Sequence, residues 1–203
     1  MPLVYQQNIN VVTKLGVWHI TEEEDFFLKK VPLQRKITHW HKRLQHLAGR
    51  LLLIELFPAF PVELIRIADT RKPYLPEEPY HFSISHCGDY AAVIVSRENR
   101  VGVDVELLTD KVAGIMHKFL SPIETNLLPI STFHQTALLC WSVKETIFKW
   151  IGVGEVDFIR DMVIKKISGD DQGWVNCQVY GKQELVVHFL YFDKHYLTWV
   201  VTV

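Results

Sequence analysis

The feature that most constrains the fold is a short alternating segment that is followed, further along the chain, by a helical one. Residues 101–106 read VGVDVE, so valines alternate with Gly102, Asp104 and Glu106. Successive side chains of a β-strand point to opposite faces of its sheet. The pattern therefore predicts a strand that buries its valines and presents Asp104 and Glu106 together on the other face.

The second segment, residues 141–149, reads WSVKETIFK and predicts a helix. Residues three and four apart are neighbours on a helix, so Trp141, Glu145 and Lys149 are expected along one side. A strand with two acids and a helix with a third acid and a lysine can build a site for a hard cation beside a proton-transfer group. This combination favours Mg²⁺-assisted chemistry on a phosphate ester or anhydride.

Each segment alone is ordinary. An Asp-x-Glu pair on a strand is usually the solvated face of a sheet, and a Lys-Glu-x-x-x-Lys helix usually forms exposed ion pairs that add little stability. Two further segments, residues 71–76 (RKPYLP) and 83–87 (SISHC), change the balance. The interpretation of a functional site depends on all four occurring together.

In combination these segments resemble the 4′-phosphopantetheinyl transferases, in particular the longer, surfactin-type branch. That family carries an aliphatic-Gly-aliphatic-Asp-x-Glu strand, followed by Trp-Ser-x-Lys-Glu-x-x-x-Lys, with Gly-Lys-Pro and Ser-His-Ser upstream. This chain has each motif in that order over residues 71–149, and its length suits the double-domain branch. Two positions depart from the pattern: Arg71 stands where the family often has Gly, and Cys87 replaces the last Ser of Ser-His-Ser.

The resemblance implies an α+β fold. It would consist of two similar α/β subdomains in a pseudo-twofold arrangement, each an antiparallel-type sheet packed with helices. The expected subdomains are residues 1–100 and 101–203, with the site in the cleft between them. Hydrophobic spacing independently predicts a long amphipathic helix over residues 38–57 and another over 134–151.

The resemblance also implies the reaction, which is transfer of 4′-phosphopantetheine from coenzyme A to a serine of an apo acyl or peptidyl carrier protein, releasing 3′,5′-ADP. Asp104, Glu106 and Glu145 would bind Mg²⁺, with Mn²⁺ as an alternative. The catalytic residues would be Asp104, Glu145 as the general base, and Lys149 beside the departing 3′,5′-ADP. The residues expected to bind coenzyme A are Arg43, Arg50, Lys72, Ser85, His86, Lys144 and Lys149.

Two other functions fit part of the pattern. A binding module would hold coenzyme A or a carrier protein without turnover, but pure binding needs no positioned base such as Glu145. A different Mg²⁺-dependent phosphotransferase, such as a kinase, would be expected to carry a Walker-type glycine-rich loop, which the sequence lacks.

A carrier protein is expected to dock beside residues 109–130. This segment contains apolar residues next to cationic ones, namely Ile115, Met116, Phe119 and Leu120 with Lys111, His117 and Lys118. Carrier proteins are generally acidic helical bundles, so an apolar stripe with a cationic rim would suit them. The alternative is that these apolar residues belong to the core.

Composition narrows the setting. The 203 residues are 48% hydrophobic with a net charge of −1, which predicts an ordered core and gives no general basic surface for nucleic acid. No apolar stretch is long enough for a membrane span. Three cysteines without a short-spaced pair, and no signal-peptide pattern, predict a cytoplasmic protein. A monomer is expected, and His39, His41 and His46 lack zinc spacing, so surface positions are expected for them.

Overall fold

The computed structural model describes residues 2–77, 79–109, 111–152 and 154–202. The chain divides into two compact units, an N-terminal unit that runs up to Val101 and a C-terminal unit, Gly102–Thr202. Antiparallel strand pairs and packed helices occur in both. The predicted α+β class is therefore confirmed.

The N-terminal unit is built on a four-stranded antiparallel sheet. The strand order is β1-β2-β6-β5, and a separate two-stranded ribbon joins β3 to β4. The elements are β1 (Leu3–Asn8), β2 (Thr13–His19), α1 (Glu24–Leu28), α2 (Trp40–Leu56), a 3₁₀ turn (Val62–Leu64), β3 (Arg66–Ile67), β4 (Pro73–Tyr74), β5 (His81–Cys87) and β6 (Tyr90–Ser96).

Helix α2 forms the core of this unit together with the sheet. Its apolar side chains, such as Leu47 and Leu52, are fully buried with strand residues such as Val93. Residues 44–53 are all buried, on every side of the helix, and only Ile54 and Glu55 near its end are more exposed. The helix ends before Pro58, whose ring cannot continue a helical backbone. The predicted long helix is confirmed, but it is more deeply enclosed than an amphipathic surface helix would be.

The C-terminal unit is a five-stranded sheet in the order β7-β11-β10-β9-β8. Antiparallel pairing joins β8 through β11 in succession. The elements are β7 (Arg100–Leu107), α3 (Lys111–Ile115), a 3₁₀ turn (Met116–Lys118), α4 (Pro122–Thr125), a 3₁₀ turn (Ile130–Thr132), α5 (Phe133–Ile151), β8 (Met162–Gly169), β9 (Gln172–Val179), β10 (Gln183–Phe192) and β11 (His195–Thr202).

Helix α5 is the central helix of the C-terminal unit. Val143 and Ile147 are fully buried in the same apolar cluster as Val187 of the sheet. The helix ends at Gly152, whose φ of 68° lies in the left-handed region that suits glycine at a helix C-terminus. In the described part of the chain, no helix has both the length and the apolar character needed to cross a membrane.

Candidate active site

Strand β7 has the alternation that its sequence predicts. Val101, Val103 and Val105 are buried, with at most 2% of each side chain exposed. Glu106 is half-buried on the other face, and Asp104 is only 2% exposed. Asp104 is thus an interior carboxylate that needs partners within the fold.

Gly102 explains how α5 covers this strand. A methyl group on Gly102 would overlap the carbonyl oxygen of Thr146 and lie 3.0 Å from Cβ of Trp150. Real side chains do not approach a helix backbone so closely, so glycine permits contact between β7 and α5. This close approach brings the acids of β7 next to Glu145 and Lys149.

The carboxylate of Asp104 is held by two residues of α5. Lys149 donates from Nζ to Oδ1 at 2.6 Å, and Ser142 donates from Oγ to Oδ2 at 2.9 Å. The Lys149 side chain is 26% exposed, whereas the Asp104 side chain that its ammonium contacts is almost inaccessible to solvent. Such charge-assisted bonds are stronger than neutral ones, which compensates for burying Asp104.

Trp141 orients the second acid. Its indole Nε1 donates to Oε1 of Glu106 at 3.2 Å. The ring is itself fixed by an edge contact with Phe119, at 5.1 Å between centroids, and by stacking on Phe158 at 5.7 Å. The tryptophan of the helical motif therefore positions a carboxylate.

Glu145 has the electrostatics of a general base. Burial, followed by the negative charge of Asp104 and to a smaller extent that of Glu106, raises its pKa to about 7, while the charge of Lys149 partly opposes them. A base whose pKa lies near neutral pH can both accept and release a proton during turnover. Three carboxylates are thus crowded together, which favours a cation between them.

The donor chemistry fits Mg²⁺, which takes carboxylate oxygens together with water and phosphate. Within the described ranges, however, no group of three or more His, Cys, Asp or Glu side chains stands in an arrangement that could hold a metal ion. Asp104 is turned to Lys149 and Ser142, and Glu106 to Trp141. Oxygens of Asp104 and Glu106 are therefore engaged by neighbouring side chains of α5.

Lys144 has a structural position. Its side chain is fully buried, and its ammonium donates to the carbonyls of Phe119 (2.6 Å) and Phe158 (2.8 Å) and pairs with Glu124 Oε1 (2.7 Å). These three acceptors use its three N–H groups. The predicted contact between Lys144 and coenzyme A does not fit this geometry, because no donor is left for a ligand.

Glu124 is the ion-pair partner of Lys144, and the sequence did not predict this pairing. Besides Lys144, it accepts from the backbone N–H of Ile164 at 2.8 Å and from the backbone and hydroxyl of Ser121 at 2.8 and 2.9 Å. The sequence predicts a capping box from Ser121 and Glu124, and the structure contains it. The side chain is 1% exposed, so this capping residue is also an interior ion-pair partner.

The N-terminal unit contains a cluster of basic side chains, here called the Arg50 cluster: Arg35, His46, Arg50 and His86. Arg50 and His46 are one turn apart on α2, and each is 6% exposed. Burial, followed by the charges of Arg50, Arg35 and His86, lowers the pKa of His46 to about 3. Burial and Arg35 lower the pKa of Arg50 to about 10.

This cluster has the properties of an anion site. Among the described residues, neither Arg50 Nε nor His46 Nε2 has a hydrogen-bond partner. Buried polar atoms normally have partners, and the charges that act on His46 are all positive, from Arg50, Arg35 and His86. A phosphate group would relieve this repulsion. The surface position expected for His46 is wrong, because only 6% of the residue is exposed.

Two other predicted ligands differ in their surroundings. Arg43 is occupied by a bidentate pair with Glu24, at 2.8 and 2.7 Å, so it is not directed at a phosphate with Arg50. Ser85 is buried on β5 immediately before His86, and Lys72 precedes β4. Arg71 has a φ of 66°, which suits the glycine that the family often has there.

The three cysteines lie in different surroundings. Cys87, which replaces a family serine, ends β5 directly after His86 and is half-buried. Cys140 and Cys177 are buried in the core of the C-terminal unit.

Sequence reasoning missed His46, Arg35 and Glu124 as candidate site or supporting residues. It also missed Thr198 of β11, whose hydroxyl contacts Ser142 Oγ at 2.9 Å beside Asp104. His46 had a detectable signal, because it lies four residues before Arg50 in a helical stretch that is otherwise apolar on nearly every side. Thr198 had none, since a threonine on a sheet strand is common and its role depends on contacts distant in sequence.

Comparison with known proteins identifies the family of the chain. The model of the 4′-phosphopantetheinyl transferase superfamily matches residues 100–201, about half of the chain, which include β7, α5 and β11. The chain belongs to this superfamily.

Individual relatives agree with that assignment. Enterobactin synthase component D of Escherichia coli (strain K12) is 27% identical over 154 residues, covering 72% of this chain and 66% of that protein. The protein of the same name from Salmonella austin is 31% identical over 111 residues, covering 53% and 47%. The 4′-phosphopantetheinyl transferase AcpT of Escherichia coli (strain K12) is 37% identical over 67 residues, covering 33% and 34%. The chain thus spans about half to two thirds of the enterobactin synthase components that it matches.

Proposed function

We propose that this protein transfers 4′-phosphopantetheine from coenzyme A to a serine of an apo acyl or peptidyl carrier protein, and that it belongs to the surfactin-type branch. The observation that carries the proposal is the grouping of Asp104, Glu106, Glu145 and Lys149 on two adjoining elements of the C-terminal unit. Superfamily membership and the similarity to a relative named as a 4′-phosphopantetheinyl transferase support it.

The three carboxylates would hold Mg²⁺ or Mn²⁺. When bound, the ion supplies charge neutralisation to the pyrophosphate of coenzyme A. Trp141 and Ser142 keep Glu106 and Asp104 in their places beside it. Asp104 would be a ligand rather than a proton acceptor, because it is already engaged by Lys149.

Glu145 and Lys149 would carry the proton and charge transfer. The serine oxygen of the carrier forms a bond to the phosphorus that bears pantetheine, while the bond from that phosphorus to 3′,5′-ADP breaks. Glu145, with its pKa near 7, accepts the serine proton. The Lys149 ammonium offsets the charge that develops on the departing 3′,5′-ADP.

Coenzyme A would be recognised in the N-terminal unit by the Arg50 cluster, with Lys72 and Ser85 as further candidates. The unpartnered atoms Arg50 Nε and His46 Nε2 suit a phosphate group, and charge-assisted bonds to phosphate are strong. Arg43 and Lys144 are omitted because their donors are used within the fold.

The proposal includes the arrangement that the family implies. Residues 1–100 and 101–203 would form two similar α/β subdomains. The protein would act as a cytoplasmic monomer on coenzyme A and a carrier protein.

Intact-mass measurement of an apo carrier protein tests the function. Incubation with the full-length protein, coenzyme A and Mg²⁺ should add the mass of one phosphopantetheine, and Asp104→Ala or excess chelator should abolish the addition. Glu145→Gln should slow transfer by roughly 10²–10⁴-fold while coenzyme A still binds. Binding without any mass addition, by the unmodified chain and several carriers, would instead support a non-catalytic binding module.

A comparison of ligands tests the Arg50 cluster. Coenzyme A should bind more tightly than its 3′-dephospho analogue, and Arg50→Gln should reduce that difference. Arg43→Gln is the matched control, because Arg43 is on the same helix but is paired with Glu24. Equal dissociation constants for the two ligands at matched ionic strength would argue against a dedicated phosphate pocket.

A further inference from the structure

Three buried hydroxyl groups lie behind Asp104 in the C-terminal unit. Ser142 and Thr146 are one turn apart on α5, and Thr198 is on β11. All three residues are fully buried. The contacts run from Thr146 Oγ1 to Thr198 Oγ1 at 2.6 Å, from Thr198 Oγ1 to Ser142 Oγ at 2.9 Å, and from Ser142 Oγ to Asp104 Oδ2 at 2.9 Å.

The direction of these hydrogen bonds follows from the proton count. A carboxylate can only accept, so Ser142 must donate its single hydroxyl proton to Asp104. The Thr198 proton then points to Ser142, where it is shared between the hydroxyl oxygen at 2.9 Å, whose own proton is used, and the carbonyl oxygen at 3.1 Å. By the same reasoning Thr146 must donate to Thr198. Its remaining contact, to the carbonyl of Thr198 at 3.2 Å, uses the same proton.

We propose that Thr146, Thr198 and Ser142 form a one-directional hydroxyl chain that positions Asp104 as a cation ligand. Hydrogen bonds in a row polarise one another, so each upstream hydroxyl strengthens the bond from Ser142 to the carboxylate. The chain fixes Oδ2 from the interior side and leaves Oδ1 as the oxygen that faces Lys149. Ser142, Thr198 and Thr146 are therefore positioning residues. This inference rests on the proposed metal-dependent function.

The hydroxyl chain also ties three elements together around the acid. Thr198 belongs to β11, Asp104 to β7, and the other two residues to α5, so the hydroxyls join three elements at one carboxylate. A displaced α5 would break the bond to Asp104 and would also move Glu145. The position of the ligand and the position of the base are thus set by the same bonds.

Two substitutions of Thr198 separate the effect of its hydroxyl group from the effect of its side-chain volume. Thr198→Val keeps the shape and removes the hydroxyl, whereas Thr198→Ser keeps the hydroxyl and removes a methyl group. Binding of Mn²⁺ alone to the full-length protein, followed by electron paramagnetic resonance, is the readout. We expect weaker Mn²⁺ binding in Thr198→Val and near-parental binding in Thr198→Ser, even where the serine variant is the less stable of the two.

Ser142→Ala removes the last bond of the chain. It should weaken Mn²⁺ binding by about 10–100-fold, as loss of an outer partner of a metal ligand commonly does, and by more than Thr198→Val does. Thr13→Val is the matched control, because Thr13 is a fully buried threonine with hydroxyl bonds to Ser96 and Asn99 in the N-terminal unit. It should lower the stability and leave Mn²⁺ affinity unchanged.

The outcomes separate this inference from the proposed function. Parental Mn²⁺ affinity in both Thr198→Val and Ser142→Ala, with an active parent, overturns the hydroxyl chain alone. A parent that transfers no phosphopantetheine and binds no Mn²⁺ overturns both. If Ser142→Ala fails to fold, the valine and serine variants of Thr198 still decide, because equal affinity in those two would also refute the chain.

Discussion

Replacing Lys144 with methionine should destabilise the protein without changing its affinity for coenzyme A. The ammonium donates to the carbonyls of Phe119 and Phe158 and pairs with Glu124, all within 2.8 Å. Methionine keeps most of the aliphatic volume but leaves two carbonyls and a carboxylate without this donor. Breaking a buried ion pair by removing one partner costs about 3–5 kcal/mol. In a domain of this size such a loss lowers Tm by roughly 6–20 °C, at about 2–4 °C per kcal/mol.

Urea unfolding and coenzyme A binding, measured on the same preparations, check this reasoning. Lys165→Met is the control, because Lys165 is exposed on β8 and should change stability by no more than about 0.5 kcal/mol. The double variant Lys144→Met with Glu124→Gln should regain part of the loss, since it removes the stranded charge while an oxygen remains for Ile164 N–H. A Lys144→Met protein that is as stable as its parent but binds coenzyme A more weakly would refute the structural role.

Three further results are expected. Gly102→Ala should lower the free energy of unfolding, measured with urea, by about 1–3 kcal/mol and should lower the turnover, because the added methyl group would push Thr146 and α5 away from β7. Unaltered stability and rate would contradict the close packing. His46 has a pKa of about 3 in the native state and binds a proton more readily in the unfolded chain, so stability should fall as pH falls from about 6.5 towards 3. The free energy of unfolding, measured with urea, should fall less over that pH range in His46→Gln. The charge reversal of Lys111 and Lys118 to Glu should raise the KM for the carrier, more so at low salt, with coenzyme A binding unchanged; identical carrier kinetics would place docking elsewhere.

The elements that carry the candidate site were predictable because their patterns are strong and local. The period of two in residues 101–106 and the helical spacing of 141–149 each depend only on near neighbours, and both elements are present. The burial of Asp104 was not predictable in the same way. It depends on α5 lying against Gly102, a contact between residues far apart in the sequence.

Ion pairing explains the assignments that the structure does not support. Arg43 and Arg50 are seven residues apart, so spacing alone puts them on one face, but Glu24 of α1 takes Arg43 and leaves Arg50 in the cluster. The helical motif likewise placed Lys144 next to Glu145 without showing that Glu124 would bind it inside the core. In each case the deciding partner is an acid outside the motif.

The docking segment illustrates the same limit for apolar residues. Phe119 and Leu120 are core residues, 1% and 3% exposed, so the alternative left open by the sequence holds for them. Ile115 is 38% exposed, and Ile123 and Ile130, which are 79% and 97% exposed, are the more prominent apolar residues nearby. A short segment with irregular turns has no period from which the buried face can be predicted.

The position of Cys87 makes the protein suitable for site-selective labelling. Burial raises the pKa of Cys140 to about 12 and raises that of Cys177 as well, so neither core thiol ionises near neutral pH. Cys87 is half-buried at the end of β5 and follows His86 of the Arg50 cluster. A maleimide fluorophore should therefore attach at Cys87 in preference to the other two cysteines of the native protein.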